Sequence, residues 1–292
     1  MKSNSVFTNV ALVTAAFILV MATGARASVL ASDNFDLYSL GTLSAQTGLG
    51  AGFQGNWTAA QNSGAVNVVS PGPGGGNGLQ ISVPSSSSSI MGARQFAAPI
   101  TGQNVYVSFL WQYASGPGFG TVNPDNTTFA LALSDTATDT SSVLNYGMRA
   151  TQLAGVETTT LMARQGTGTP VSGAALTLAS GTVGNPSLTY QLVAEYVWDG
   201  AAYSSINAWF NPNSGTQTTP DVVSPGGTLT SLSYVYFREG APAVNAVFNA
   251  DNLTIGSTWS DVVVVPEPGS MVLLALGATA LIAFRRRGDI QS

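Results

Sequence analysis

The sequence predicts an all-β protein, an antiparallel jelly-roll sandwich with an N-terminal signal helix and a C-terminal transmembrane helix. Three observations point there. Between the ends, Val, Phe, Tyr, Trp and Leu recur with a period of two, and no stretch holds a 3.6-residue apolar period. Gly, Pro, Asn and Ser clusters punctuate these runs at short intervals, as in sandwiches built from many short strands. The long unbroken apolar runs lie only near the two ends, at Val10–Met21 and Gly269–Phe284.

Taken in order, Lys2 opens a positive leader, the apolar run Val10–Met21 follows, and Ala25-Arg26-Ala27 supplies the small residues that a signal peptidase accepts. Cleavage after Ala27 makes Ser28 the first mature residue, with Ala31 as a second site. Residues 1–27 are thus read as a signal peptide and 28–264 as one sandwich domain, of a size that all-β single domains reach. Its first clear strand, Leu79–Val83, is flanked by the low-complexity loops Pro71–Gly78 and Pro84–Ser89. Further strands are expected at Asn104–Tyr113, Thr127–Ser134, Val143–Thr151, Val156–Arg164, Leu188–Trp198, Tyr203–Phe210, Leu229–Phe237 and Ala246–Ile255. In Asn104–Tyr113, Val105, Val107, Phe109 and Trp111 share one face and Tyr106, Ser108 and Leu110 the other, which suits a strand inside a two-layer packing. Asp199-Gly200 supplies the positive φ of a tight reversal, so the strands on either side of it should form a hairpin.

Composition narrows the function. Residues 28–265 hold four basic residues (Arg94, Arg149, Arg164, Arg238) and twelve acidic ones, a formal charge of −8, and no lysine. Four scattered arginines do not make the cationic footprint that nucleic acid requires. The chain has no Cys and no His, which excludes Ser-His and Cys-His catalysis and the common zinc ligand sets.

The C-terminus has a different grammar. Val265-Pro266-Glu267-Pro268 precedes the 16-residue apolar run Gly269–Phe284, and Arg285-Arg286-Arg287 follows at once. As a helix the run spans about 24 Å at ~1.5 Å per residue, a little short of a hydrocarbon core of about 30 Å. Snorkelling arginines or local thinning closes that gap. The arginines put their end on the cytoplasmic side, so the domain lies outside. The prolines lock φ and remove backbone donors, which holds an extended, accessible segment next to the bilayer. Val265–Arg287 resembles the PEP-CTERM sorting signal of exosortase substrates in Gram-negative bacteria, which often accompany exopolysaccharide production. The resemblance implies that Pro266, Glu267 and Pro268 are the recognition motif, 269–284 the transmembrane segment, Arg285, Arg286 and Arg287 the retention cluster, and 288–292 a short cytoplasmic tail. It further implies exosortase as processing partner, transient residence at the inner membrane, and final release or attachment at the cell surface or extracellular matrix.

A second resemblance covers most of residues 31–262. Ala31-Ser32-Asp33-Asn34-Phe35-Asp36 with Gln54-Gly55-Asn56-Trp57, Val107-Ser108-Phe109-Leu110, Leu192-Val193-Ala194 with Ala208-Trp209-Phe210-Asn211-Pro212, and Asp251–Trp259 (DNLTIGSTW) are similar to concanavalin A-like, laminin-G-type sandwiches. They imply fold more than function.

No catalytic residues are assigned. A two-carboxylate glycosidase of jelly-roll type is the enzyme alternative, and it needs carboxyl groups about 5–5.5 Å or 6.5–9.5 Å apart. Glu195 and Asp199 share a strand face but would lie ~13 Å apart in an extended chain, so they read as a solvent-facing residue and a turn residue. A carbohydrate-binding, lectin-like module is the other alternative, with Trp57, Trp198 and Tyr203 as candidate glycan contacts and Trp111, Trp209, Tyr113 and Tyr196 as further aromatic platforms. No cofactor or metal site is assigned. Calcium could use Asp33, Asp36 and Asp251 or the loop Asn123–Asn126, though no D-x-D-x-D-G-like loop is present. The expected function is that of an exported, non-enzymatic surface or matrix protein, structural or glycan-associated.

Overall fold

Alternation along Val105–Ser115 sets the architecture: Val105, Val107, Phe109, Trp111 and Tyr113 are all buried in one core. The computed structural model describes residues 28–263 apart from 60–63, 84–88, 116–126, 139–142, 154–155, 167, 177–187, 213–214 and 241–245. The expected signal and transmembrane helices lie outside the described residues. In chain order the strands are β1 (Val29–Asp33), β2 (Gly41–Thr42), β3 (Phe53–Gln54), β4 (Ala65–Val69), β5 (Gly78–Val83), β6 (Ser89–Ile100), β7 (Val105–Ser115) and β8 (Thr127–Ser134). There follow β9 (Leu144–Leu153), β10 (Val156–Gln165), β11 (Val171–Ala175), β12 (Tyr190–Trp198), β13 (Tyr203–Phe210), β14 (Val222–Pro225), β15 (Leu232–Gly240) and β16 (Ala246–Gly256). Among the described residues a 3-10 turn spans Leu43–Ala45, and a short helix, α1 (Trp259–Val262), follows β16.

The strands form two antiparallel sheets packed face to face, the predicted sandwich. The first runs β14-β13-β12-β7-β16-β5-β4-β2, and the second β11-β10-β9-β8-β15-β6-β3. β5 pairs with Ala246–Ala250 of β16, and β1 takes over the same edge at Leu253–Gly256. Between them β16 bulges, and Asn252 takes a positive φ of 51°. The Asp199-Gly200 hairpin forms as expected: Trp198 faces Tyr203, and the Asp199 carboxylate accepts both Ala201 N and Ala202 N at 2.9 Å.

Aromatic side chains join the layers. Phe109 and Phe248 of the first sheet meet Phe129, Tyr146 and Phe237 of the second, with ring centroids 4.8–6.3 Å apart. Buried tyrosine hydroxyls need acceptors, and they find them on the facing strands: Tyr146 donates to Val107 O (3.1 Å) and Tyr196 to Leu144 O (3.3 Å).

Candidate functional site

The opening motif of the domain is structural. Asp33 ends β1 with its side chain 1% exposed, and its Oδ2 accepts from Arg94 Nη1 (2.7 Å), the Tyr38 hydroxyl (2.8 Å) and Trp57 Nε1 (3.1 Å). Phe35 N donates to the other carboxylate oxygen. Arg94 also donates to the Leu49 carbonyl and lies over the Phe53 ring at 4.7 Å. Burial pushes the Asp33 carboxyl up, while the donors and Arg94 oppose it.

Burial corrects two of the sequence assignments. Trp57 is 2% exposed and Tyr203 is fully buried, its hydroxyl donating to Ile100 O, so neither can stack on a sugar. The parity of β13 sends the Tyr203 ring inward, and the chain after β3 carries Trp57 into the same core, where large apolar surface is best buried. Trp198 is partly buried and meets the Tyr203 ring edge-on at 5.1 Å. The other suggested platforms Trp111, Trp209, Tyr113 and Tyr196 are buried as well.

Glu195 is not solvent-facing. It is 6% exposed on the outer face of the first sheet, where Tyr106 (2.7 Å), Asn104, Asn207 and Gln217 (2.9 Å each) donate to its two oxygens. Four neutral donors saturate the carboxylate, which makes it a structural hub. Nothing in one strand's alternation reveals those donors, because they arrive from Asn104 just before β7, from β7 and β13, and from the chain beyond β13.

Asp33, Asp36 and Asp251 do not form a calcium cage. Asp33 is consumed by Arg94, and among the described residues no group of three or more His, Cys, Asp or Glu is placed to hold a metal. Asp36 and Asp251 instead brace the glycine-rich loop: Asp36 Oδ1 accepts Asn77 N (2.8 Å) and Asp251 Oδ2 accepts Gly74 N (2.9 Å). Burial, with smaller contributions from Asp36 and Asp33, pushes the Asp251 carboxyl up to about 6. The loop Asn123–Asn126 lies outside the described residues.

The arginines are not scattered. Three of the domain's four lie on one face of the second sheet. On β9, Leu144, Tyr146 and Met148 enter the core, so Asn145, Gly147 and Arg149 point outward. On β10, Leu161 and Ala163 face the core while Thr160, Met162 and Arg164 do not; on β15, Val235 and Phe237 leave Tyr236 and Arg238 outward. The ladder then aligns Arg164 with Asn145, Ala132 and Tyr236, and Met162 with Gly147, Ala130 and Arg238. The Arg238 side chain reaches across β8, whose Ala130 and Ala132 leave room, and donates to Gly166 O (3.0 Å) and Asn145 Oδ1 (3.4 Å).

The face is recessed, with Arg164 9% and Arg238 4% exposed. The ion pair found among the described residues is Arg94–Asp33; Arg164 and Arg238 make none there. Arg164 Nε is buried with no hydrogen-bond partner. Burial, then the charges of Arg238 and Arg149, pull the Arg164 guanidinium down to about 10. The Arg164 and Arg238 guanidinium groups thus repel one another where little water reaches them.

On the opposite side of the sandwich, the chain leaves the domain. Trp259 and Val262 of α1 pack with Tyr106, Val193 and Trp209 on the outer face of the first sheet. The Val262 carbonyl accepts from Ser108 Oγ and Gln191 Nε2, both at 3.0 Å. Beside this anchor opens a cleft of about 520 Å³ lined by Asn34, Ser108, Gln191, Asn252 and Thr254, with no charged side chain in its wall. After Val263 come two more valines, then Pro266-Glu267-Pro268, the apolar run and the three arginines. Residues 264–287 match the PEP-CTERM protein-sorting motif. The motif marks an exported protein sorted by an exosortase. The PEP-CTERM segment, like Ala27 of the expected cleavage site, lies outside the described residues; Ser28 is the first residue within them.

No curated protein matches the sequence. Solved structures are similar in fold alone. The alginate lyase Aly36B has 13% identity and a TM-score of 0.45, over 79% of this chain and 98% of that one. An endo-β-1,4-glucuronan lyase from the fungus Trichoderma reesei has 14% identity and a TM-score of 0.40, over 72% and 95%. The CBM22-1 xylan-binding domain of Paenibacillus barcinonensis Xyn10C has 13% identity and a TM-score of 0.36, over 80% and 97%.

Proposed function

We propose that this is a non-enzymatic, glycan-associated protein of the cell surface or extracellular matrix, delivered by its PEP-CTERM tail and freed of that tail by exosortase. The observation that carries the reading is the division of labour between the two outer faces. The sorting tail departs from the first sheet, and the recessed arginine cluster lies on the second. A protein held or attached through its tail therefore turns its second sheet away from the attachment. Binding rather than catalysis is favoured because the carboxylate of Glu195 is saturated by structural donors. It also stands on the sheet opposite the arginines.

The test is co-sedimentation of the full-length protein with insoluble extracellular polysaccharide from a Gram-negative culture. The protein should pellet with the glycan and release neither reducing ends nor unsaturated sugar products over prolonged incubation. Protein left in the supernatant contradicts glycan association, and accumulating product contradicts the non-enzymatic assignment.

A further inference from the structure

We propose that Trp259–Val263, helix α1 and the residue after it, is a latch that must lift off the first sheet before exosortase can remove the tail. The inference rests on the exosortase reading above and adds what controls that step.

Spacing along the chain creates the need for it. Val263 is 5% exposed and belongs to the apolar cluster on the outer face of the first sheet. Between it and Pro266 stand Val264 and Val265 alone. Two residues reach about 7 Å even when fully extended, whereas a domain of this length has a radius of gyration of roughly 18 Å. On the other side of the motif the apolar run begins at once with Gly269. With α1 docked, an enzyme that grips Pro266-Glu267-Pro268 has to work against the body of the sandwich.

The contacts of α1 are those of a part that can come away. Trp259 meets Trp209 edge-on at 4.9 Å and Tyr106 at 6.5 Å. With Val193, Val262 and Val263 these rings form a cluster separate from the core between the sheets, so undocking leaves that core closed. Ser108 and Gln191 tie the Val262 carbonyl to the sheet. The Asp261 carboxylate instead accepts from Ser257 N (2.8 Å) and Thr258 N (2.7 Å) within the segment itself. The fit is close: a Cβ placed on Gly256 would overlap the Asp261 side chain.

A helix of one turn does not hold in water by itself, so α1 keeps its shape through this packing. Off the sheet, Ser257–Val263 can extend by up to about 24 Å, several times the reach of Val264 and Val265. Where such opening is fast, the rate of cutting follows the fraction of molecules that are open. The Trp259 contact then sets how fast the tail is lost.

The experiment follows the full-length chain by pulse labelling in a Gram-negative host that produces an exosortase, reading the fraction that keeps its tail over time. Two variants are compared with wild type and combined: Trp259→Ala, and an insertion of glycines and serines, about eight residues long, between Val263 and Val264, which supplies the missing reach at about 3.3 Å per residue. Hydrogen exchange of the α1 amides and thermal unfolding are recorded on each purified full-length chain in mild detergent. Trp259→Ala should speed exchange in α1 and shorten the half-time of tail removal at least threefold. The insertion should shorten it as much while α1 exchange stays as in wild type, and the two together should add nothing to either alone. The insertion alters no packed residue, so its half-time decides the matter even where Trp259→Ala lowers the melting temperature. A half-time unchanged by the insertion overturns the latch and leaves tail removal by exosortase standing. A tail that stays on wild type and every variant overturns both.

Discussion

Replacing Asp33 with alanine should lower the free energy of unfolding by about 3–5 kcal/mol, the scale seen when one partner of a buried ion pair is removed. The reason is what stays behind. Arg94 is 2% exposed and would remain charged in the core, where Asp33 is the one acid it pairs with among the described residues. Trp57 Nε1 would lose its acceptor, and the Tyr38 hydroxyl would lose one of two. The double variant Asp33→Leu with Arg94→Met should recover much of the loss, because it removes the unpaired charge and fills the space with apolar atoms. Recovery stays incomplete because the Trp57 donor is still unmet. Urea unfolding followed by tryptophan fluorescence checks this. A single variant within about 0.5 kcal/mol of wild type, a margin typical of surface positions, would show that the carboxylate is not the hub of the knot.

The second large effect belongs to the aromatic joint between the sheets. Phe109→Ala should cost about 3–5 kcal/mol, as buried aromatic truncations do. Phe109 is 1% exposed and touches the rings of Phe129, Tyr146 and Phe237, three residues on three strands of the facing sheet. Those strands are hydrogen-bonded to their own neighbours, so they cannot collapse into the space left behind, and the cavity term persists. Phe109→Leu keeps most of the volume and should cost less than half as much. Equal losses for the two variants, read from the same urea curves, would place the ring's contribution elsewhere than in filling that joint.

How much of this was legible depended on the physics each residue obeys. Strands such as β7, β8 and β13 announce themselves because apolar side chains recur at every second residue, facing the core between the sheets. β6 does not, since Ser89–Ile100 carries Gly92 and Pro99 and its alternation is broken at a bulge against β15. β2 and β3 are two-residue pairings created by their neighbours, with no local pattern of their own. The arginine face was half legible. Arg149, Arg164 and Arg238 each fall on the polar parity of their strand, which places each on an outer face. What brings them together is the insertion of β15 between β6 and β8, a long-range pairing that no local spacing encodes. The glycan contacts were misplaced for the complementary reason: an aromatic side chain serves either a core or a sugar, and here burial in the core prevailed for Trp57 and Tyr203. The sorting tail was readable without any fold, because its signal is composition and order along the chain.

The most direct measurement of the central claim is the intact mass of the native protein, recovered from the polysaccharide-bound extracellular fraction of a culture. The account predicts a polypeptide that begins at Ser28 and lacks Gly269–Arg287, found with the glycan and removed from the membrane. A native protein that stays in the membrane fraction with Arg285-Arg286-Arg287 still attached would contradict it.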